Sequence, residues 1–270
     1  MDMSNSTRIV ILGKTGVGKS SVTNTIFGEP LFKVGHTLNS DTRKCQSVTK
    51  SVNGGNITLI DSPGFFDTDR PEEEMKSEIV RCITEFAPGP HAFLIVLRVE
   101  RFTEHEQAIV TKVNKYFSKE VFQYAIVLFT HGDQLPEGET IKSFIRDNKP
   151  MMELVTKCGG RCHVIDNKYW DDNPQEEYRN NQVQVKELLK TIEEMVKANE
   201  GRCYTNEMLQ AVEETIKQEE ELIRKSPGNM SEGEIREKAK ENTFTVLWIR
   251  WLVHTIANLL RGLFGGAIAK

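Results

Sequence analysis

A chain of 270 residues, 38% hydrophobic and 27% charged, is long enough for one α/β core with an appendage, and its formal net charge of −4 gives no global attraction to nucleic acid. No basic cluster interleaved with aromatics is seen, so nucleic acid is not an expected partner. The start, Met1-Asp-Met-Ser-Asn-Ser6, lacks a basic segment followed by an apolar one, and five irregularly spaced cysteines suit free thiols, so a cytoplasmic chain is expected.

The first expected strand, Arg8–Leu12, runs straight into Gly13-Lys14-Thr15-Gly16-Val17-Gly18-Lys19-Ser20, and Ser21 opens a helix-compatible run. Glycines at 13, 16 and 18 let the backbone curl so that successive N–H groups face an anion, and the helix starting near Lys19 adds its positive end. The spacing gives Lys19 to β- and γ-phosphates and the Ser20 hydroxyl to Mg²⁺, with Gly13 to Ser21 as the cradle.

A weaker strand, Gln46–Val52, precedes Ile57–Asp61, which closes on Asp61-Ser-Pro-Gly64. A carboxylate leaving a strand beside such a loop can hold a magnesium shell through water, and Gly64 can offer its N–H to a γ-phosphate. The next residue is Phe65 where a fast enzyme places a water-orienting Gln, so slow intrinsic hydrolysis is expected. Then follow a helix at Glu73–Phe86, a strand at Ala92–Val99, and a helix at Thr103–Phe117 opened by the capping-box pattern Thr103-Glu-His-Glu106.

Strand Tyr124–Thr130 ends in Thr130-His-Gly-Asp133. An Asp there accepts from the two adjacent N–H donors on the guanine edge, a pair that adenine lacks, which makes GTP the expected nucleotide. His131 stands where the usual guanine motif carries Lys, and its ring is a candidate to stack on the purine. Helix Thr140–Asp147, strand His163–Asp166 and helix Glu177–Lys197 complete the rhythm of an α/β, three-layer P-loop G domain with a mostly parallel, doubly wound sheet. Cys158-Gly-Gly-Arg-Cys162-His163 reads as a turn entering a strand, since no second ligand cluster follows it.

After Ala198 the composition shifts. Tyr204–Arg224 reads as a solvated helix whose Met208, Leu209, Val212, Ile216 and Leu222 pack on the G domain or on a partner. Ser226-Pro-Gly-Asn breaks it, and Ser231–Asn242 reads as a short charged helix. From Phe244 to Ala269, Arg250, His254, Asn258 and Arg261 form one narrow polar stripe opposite Trp248, Trp251, Leu252, Leu259 and Leu263. That pattern suits a membrane interface better than water, while two arginines argue against a simple crossing. Burial on the G domain or in a self-assembled bundle is the other expectation. The expected division is a G domain over 1–200, a charged helical extension over 201–242 and an amphipathic helix over 243–270.

Taken together, Gly13 to Ser20, Thr42-Arg-Lys-Cys45, Asp61-Ser-Pro-Gly-Phe-Phe-Asp67, Pro90 to Leu97 with Arg101-Phe-Thr-Glu104, and Phe129-Thr-His-Gly-Asp133 resemble the GIMAP family, the GTPases of immunity-associated proteins, also called immune-associated nucleotide-binding proteins. The resemblance spans about residues 7–205. It implies that Thr42 is the switch threonine sensing γ-phosphate and Mg²⁺, where spacing alone leaves Thr37, Ser40 and Thr42 open. It also implies that Asn167 is the last nucleotide-binding position, beside the base. In that family the arginine matching Arg101 acts across a dimer in which nucleotide faces meet, so Arg101 is the candidate for the charge that Phe65 does not supply. The expected catalytic set is thus Arg101, Lys19 and Thr42, and the expected metal set Ser20, Thr42 and Asp61. The expected protein binds GTP and GDP with Mg²⁺, hydrolyses GTP slowly, dimerises or oligomerises through its nucleotide face, and reaches an intracellular membrane through 243–269. The competing expectation is a nucleotide-gated membrane scaffold that binds GTP with little or no hydrolysis.

Overall fold

Alternation along β1 (Ser6–Leu12) decides the layering: Ile9 and Ile11 enter one buried cluster and Val10 and Leu12 the other, so this strand is covered on both faces. The computed structural model describes residues 6–32, 45–52, 54–62, 72–100, 104–170, 177–226 and 228–264. Around β1, the strands β2 (Gln46–Val52), β3 (Gly55–Asp61), β4 (Ala92–Arg98), β5 (Ala125–Thr130) and β6 (Cys162–Val164) form one sheet in the order β2-β3-β1-β4-β5-β6. All neighbours are parallel except β2, which runs antiparallel to β3 at the edge. That edge strand is polar and half-exposed, with Lys50 paired to Glu29, a composition that discourages further strand addition.

The register places the carboxyl ends together. Ile11 lies opposite Asp61 on β3 and Leu94 on β4, while Arg98 lies opposite Thr130 on β5. The strands on either side of β1 are reached by chain segments going opposite ways, which opens a crevice at that end. Helices α1 (Lys19–Phe27) and, later, α6 (Asn181–Ala198) cover the Ile9/Ile11 face through Val22, Ile26, Leu188 and Ile192. The opposite face is covered by α2 (Glu72–Phe86), α3 (Glu104–Phe117), α4 (Ile141–Ile145) and α5 (Lys149–Lys157). Of these, α5 falls in a stretch where no helix is expected from periodicity. Asn148 caps it by accepting the Met151 N–H at 3.1 Å, and Pro150 supplies the fixed φ of a first turn.

The segment after α6 returns to the main core. Tyr204 is buried, with its ring edge against Phe93 (5.4 Å) and Tyr124 (5.8 Å) and its hydroxyl donating to the Phe117 carbonyl. Leu209, Val212 and Ile216 of α7 (Glu207–Lys225) join the same cluster, so the 201–242 segment packs on the G domain. The expectation of a short helix at Ser231–Asn242 is corrected: α8 (Glu232–Phe264) is one helix of 33 residues that runs through 242 and 243 without a break. No Gly or Pro interrupts Ile235 to Arg261, and Thr243 is buried, so nothing there ends the helix. Arg236 bridges Glu213 and Glu220, Lys240 reaches Glu85 at 3.0 Å, and Arg81 lies 4.2 Å from the Phe244 ring centre, which fastens α8 to α7 and α2. No described helix is long and apolar enough to cross a membrane.

Two half-buried histidines set a pH limit on this fold. His91 accepts the Arg8 N–H at Nδ1 (3.0 Å), and burial, with Arg8 adding to it, pushes its pKa down to about 4. His163, 2.8 Å from the Thr191 hydroxyl, is pushed down to about 4 by burial and then Lys142. Since both sites are depressed from 6.5, the unfolded chain binds more protons between pH 6.5 and 4, so stability is full above 6.5 and falls as pH drops through that window. Discounted for partial exposure, the expected loss is about 1–2 kcal/mol per histidine. Thermal unfolding of the parent and of a His91→Asn, His163→Gln chain checks it: the double variant should have the flatter profile, and equal slopes would refute the assignment.

Candidate functional site

At the carboxyl end of β1 the chain turns through Gly13 to Gly18 into α1. Gly18 caps this helix in the left-handed region at φ 90°, and a Cβ there would come within 2.8 Å of Asn167 Nδ2. At Gly13 a Cβ would sit 2.8 Å from the Val96 carbonyl oxygen, so the loop hugs the sheet where β4 passes. The cap residue has no side chain and the first turn of α1 holds no acid of its own, a start of helix whose positive end favours an anion.

Lys19 is 6% exposed and donates from Nζ to the Lys14 carbonyl at 2.9 Å, folding its ammonium back over the loop. Ser20 Oγ donates to Asp61 Oδ2 at 2.6 Å. Asp61 is fully buried at the end of β3, and its other oxygen, Oδ1, is buried without a hydrogen-bond partner. Burial pushes its pKa up, opposed by Lys19 and by the Ser20 hydrogen bond. A hydroxyl and a buried carboxylate with an orphan oxygen, beside a lysine, fit a hydrated Mg²⁺ and a phosphate chain. Thr42, Gly64, Phe65, Arg101 and Thr103 lie outside the described residues.

Lys14 is engaged elsewhere: its Nζ is 3.0 Å from Glu106 Oε1, a nearly buried carboxylate of α3, and 4.0 Å from Glu100. Glu106, read from sequence as part of a capping box, therefore also ties α3 to the phosphate loop.

The base side is assembled by β5 and β6. Thr130 Oγ1 donates to the Val17 carbonyl at 2.8 Å, joining the strand end to the phosphate loop, a contact the sequence reading did not assign. His131, left-handed at φ 60°, has Nε2 3.1 Å from Arg98 Nη2 and Nδ1 3.1 Å from Thr130 Oγ1. A guanidinium cannot accept, so Nε2 is the acceptor and Nδ1 carries the proton. Burial, and then Arg98, lower the His131 pKa and keep that neutral form. Both ring nitrogens are thus engaged by the ends of β4 and β5.

Asn167 bridges to the other side: Nδ2 donates to the Gly18 carbonyl at 3.4 Å and Oδ1 accepts from Thr25 Oγ1 at 2.9 Å. Asp133 is exposed on the loop after β5, its N–H donating to Asp166 Oδ2 at 3.2 Å. Trp170 lies against Gly132, where a Cβ would overlap the indole. Lys19, Ser20, Asp61, Thr130, His131, Asp133 and Asn167 therefore stand along one end of the sheet, with Gly13 to Ser21 between them. Cys158 and Cys162 are buried free thiols, and among the described residues no three His, Cys, Asp or Glu side chains gather as a metal cluster.

The model of the AIG1 family matches residues 7–223. Immune-associated nucleotide-binding protein 8 of Arabidopsis thaliana is 35% identical over 223 residues, covering 79% of this chain and 62% of that protein. GTPase IMAP family member 8 of Homo sapiens is 30% identical over 199 residues, 74% of this chain and 29% of that protein. The chain thus spans less than two thirds of the length of these curated relatives. Among solved structures, Toc33 from Arabidopsis thaliana is similar in fold: its dimerisation-deficient mutant gives a TM-score of 0.59 at 20% identity, covering 75% of this chain and 88% of that one. The complex of Toc33 with GDP and Mg²⁺ gives 0.57 at 21% identity, covering 72% and 85%.

Proposed function

The chain belongs to the AIG1 family, and from that membership we propose that it is a Mg²⁺-dependent GTP-binding protein that hydrolyses GTP slowly and dimerises through its nucleotide face. One observation carries this reading: the Ser20–Asp61 pair, with its orphan buried oxygen, lies beside Lys19 at the start of α1, whose cap residue is Gly18. Lys19 would hold β- and γ-phosphate oxygens, the N–H groups of the Gly13–Ser21 loop would hold the rest of the chain of phosphates, and Ser20, Asp61 and Thr42 would hold Mg²⁺. Bound Mg²⁺ supplies charge neutralisation on the β- and γ-phosphates. Asp133 would accept from the guanine edge, Asn167 would close the base side, and His131, locked by Arg98 and Thr130, would wall it.

Phe65 can neither orient water nor offset charge, so hydrolysis needs another group, and Arg101 from a second copy is the one proposed. Toc33, similar in fold, is known as a dimerisation-deficient mutant and in complex with GDP and Mg²⁺, which supports both the dimer and the nucleotide. Single-turnover GTP hydrolysis measured against protein concentration tests the reading. A rate that climbs with concentration is expected; GTP binding with a flat, near-zero rate would favour the nucleotide-gated scaffold instead, and no GTP binding would refute both.

The site of action proposed is the cytoplasmic face of an intracellular membrane, reached through 243–269. Supporting it are the amphipathic sequence pattern and the exposure of Ile249 at 52% on α8. A chain ending at 247, which keeps buried Thr243, the Phe244 ring beside Arg81 and Leu247 against the core, should stay folded in its nucleotide site, since every proposed ligand contact lies before residue 168, and should lose co-sedimentation with liposomes. Equal sedimentation of full and shortened chains would reject the membrane role, and oligomers formed by the full chain alone would assign the helix to protein packing.

A further inference from the structure

Asp166 leaves β6 as a carboxylate only 2% exposed, and two separate loops converge on it. Oδ2 accepts the Asp133 N–H at 3.2 Å, from the loop after β5. Oδ1 accepts the N–H groups of Lys168 at 2.8 Å and Tyr169 at 2.5 Å, from its own loop. Its backbone is held as firmly: the Asp166 N–H donates to Asn181 Oδ1 at 3.0 Å, and its carbonyl accepts from Asn181 Nδ2 at 2.5 Å. The Asn181 N–H in turn donates to the Trp170 carbonyl at 3.0 Å, and the Trp170 indole closes over Gly132, the neighbour of Asp133.

An ionised carboxylate is costly to bury unless hydrogen bonds to its charged form compensate, and one of the compensating donors here belongs to the residue that faces the base. Burial alone would push Asp166 upward, but the N–H groups of Tyr169, Lys168 and Asp133 that donate to its carboxylate hold it below the usual carboxylate range. The charged form is therefore the one that ties the two loops.

We propose that Asp166 is the positioning residue of guanine recognition, setting the direction in which the Asp133 carboxylate meets the base edge. The proposal rests on the reading of Asp133 as the guanine acceptor. Asp166 is too buried to meet the base itself, and its effect passes through the Asp133 backbone. Guanine presents N1–H and an exocyclic amino group side by side, so both oxygens of Asp133 must face that edge at once. A loop that swings by a few tenths of an ångström keeps one contact and strains the other. Loss of Asp166 is therefore read as lost discrimination, with the phosphate grip intact.

Asp166→Asn is the selective variant, because the amide oxygen can keep the Lys168 and Tyr169 donors while its NH₂ meets the Asp133 N–H donor to donor. GTP and ITP, which lacks the exocyclic amino group, share every phosphate-side contact, so the ratio of their affinities isolates the base edge. Titration calorimetry on the full chain should give a GTP preference of about tenfold or more for the parent, the worth of one hydrogen bond to a charged acceptor. The ratio in Asp166→Asn should fall to about one, with ITP affinity kept within about twofold. An unchanged ratio, or an equal loss of both nucleotides, overturns the proposal. If the amide variant does not fold, Asp166→Ser replaces it: the hydroxyl is one atom shorter and serves its own loop without spanning to Asp133. Failure of both variants to fold would mark Asp166 as a stability residue and also overturn the proposal. A parent chain that binds GTP and ITP equally has a different meaning, since it removes the guanine reading of Asp133 itself.

Discussion

Arg101→Ala is expected to keep GTP binding and to lower the concentration-stimulated rate of hydrolysis by up to about 10³–10⁵-fold, the range for a full arginine finger. The reason lies in what the first copy lacks. Phosphoryl transfer spreads charge over the γ-phosphate; in the proposed site Lys19 would meet part of that charge, Ser20, Thr42 and Asp61 would hold the Mg²⁺ that neutralises more of it, and Phe65 can supply none. Arg101 follows Glu100, which comes within 4.0 Å of Lys14, and precedes α3, whose Glu106 lies 3.0 Å from the same lysine. The described residues on either side of it, Glu100 and Glu106, thus meet Lys14 at the rim of the glycine loop, the rim to which a second copy meeting it face to face would bring its own arginine. The measurement is single-turnover hydrolysis at protein concentrations that saturate the dimer, with mant-GTP affinity and dimer dissociation followed in parallel. An undiminished rate at saturation excludes the finger, whereas a loss confined to dimer affinity makes Arg101 an interface residue.

Lys19→Ala is expected to remove nucleotide binding, with a cost of about 2–5 kcal/mol, or about 30-fold to several thousand-fold in affinity, as for truncation of one partner in a buried charge pair. Lys19 is already held over the loop by the Lys14 carbonyl, so little ordering remains to be done when phosphate arrives. The same change leaves Asp61 buried without its nearest cation, and Asp61 should rise further in pKa. Calorimetric titration with GTP, on protein shown to be folded by its thermal transition, decides the matter. GTP affinity equal to that of the parent would remove the phosphate-loop assignment.

The chain belongs to the AIG1 family, and much of its nucleotide end was legible because local chemistry dictates it. Glycines that must adopt φ near 90° or approach the Val96 carbonyl, a lysine and serine at fixed spacing, and an acid at a strand end each depend on neighbours a few residues away. The same holds for strands β1, β4 and β5, whose apolar β-branched runs need burial on both faces. Helix α5 was hidden since Asn148-Lys-Pro150 reads as a break, although that pattern also starts helices.

Other features depend on register and packing, which no single stretch contains. Pairing of Ile11 with Asp61 and of Arg98 with Thr130 brings residues 50 and 32 positions apart to one rim, and it is there that Arg98 takes a ring nitrogen of His131. Glu106 is a helix-start residue in the sequence and a buried partner of Lys14 in the fold. Trp170 is one aromatic among many until β6 carries it onto Gly132, and Asp166 is the last residue of an expected strand until three N–H groups close on its carboxylate. The sequence by itself therefore determined the family, the sheet and the phosphate cradle, because those follow from short-range spacing and periodicity. Only the tertiary structure decided how the base-side loops are locked and that α7 and α8 pack back on the core, because buried polar groups choose their partners across the sheet, far apart in the chain.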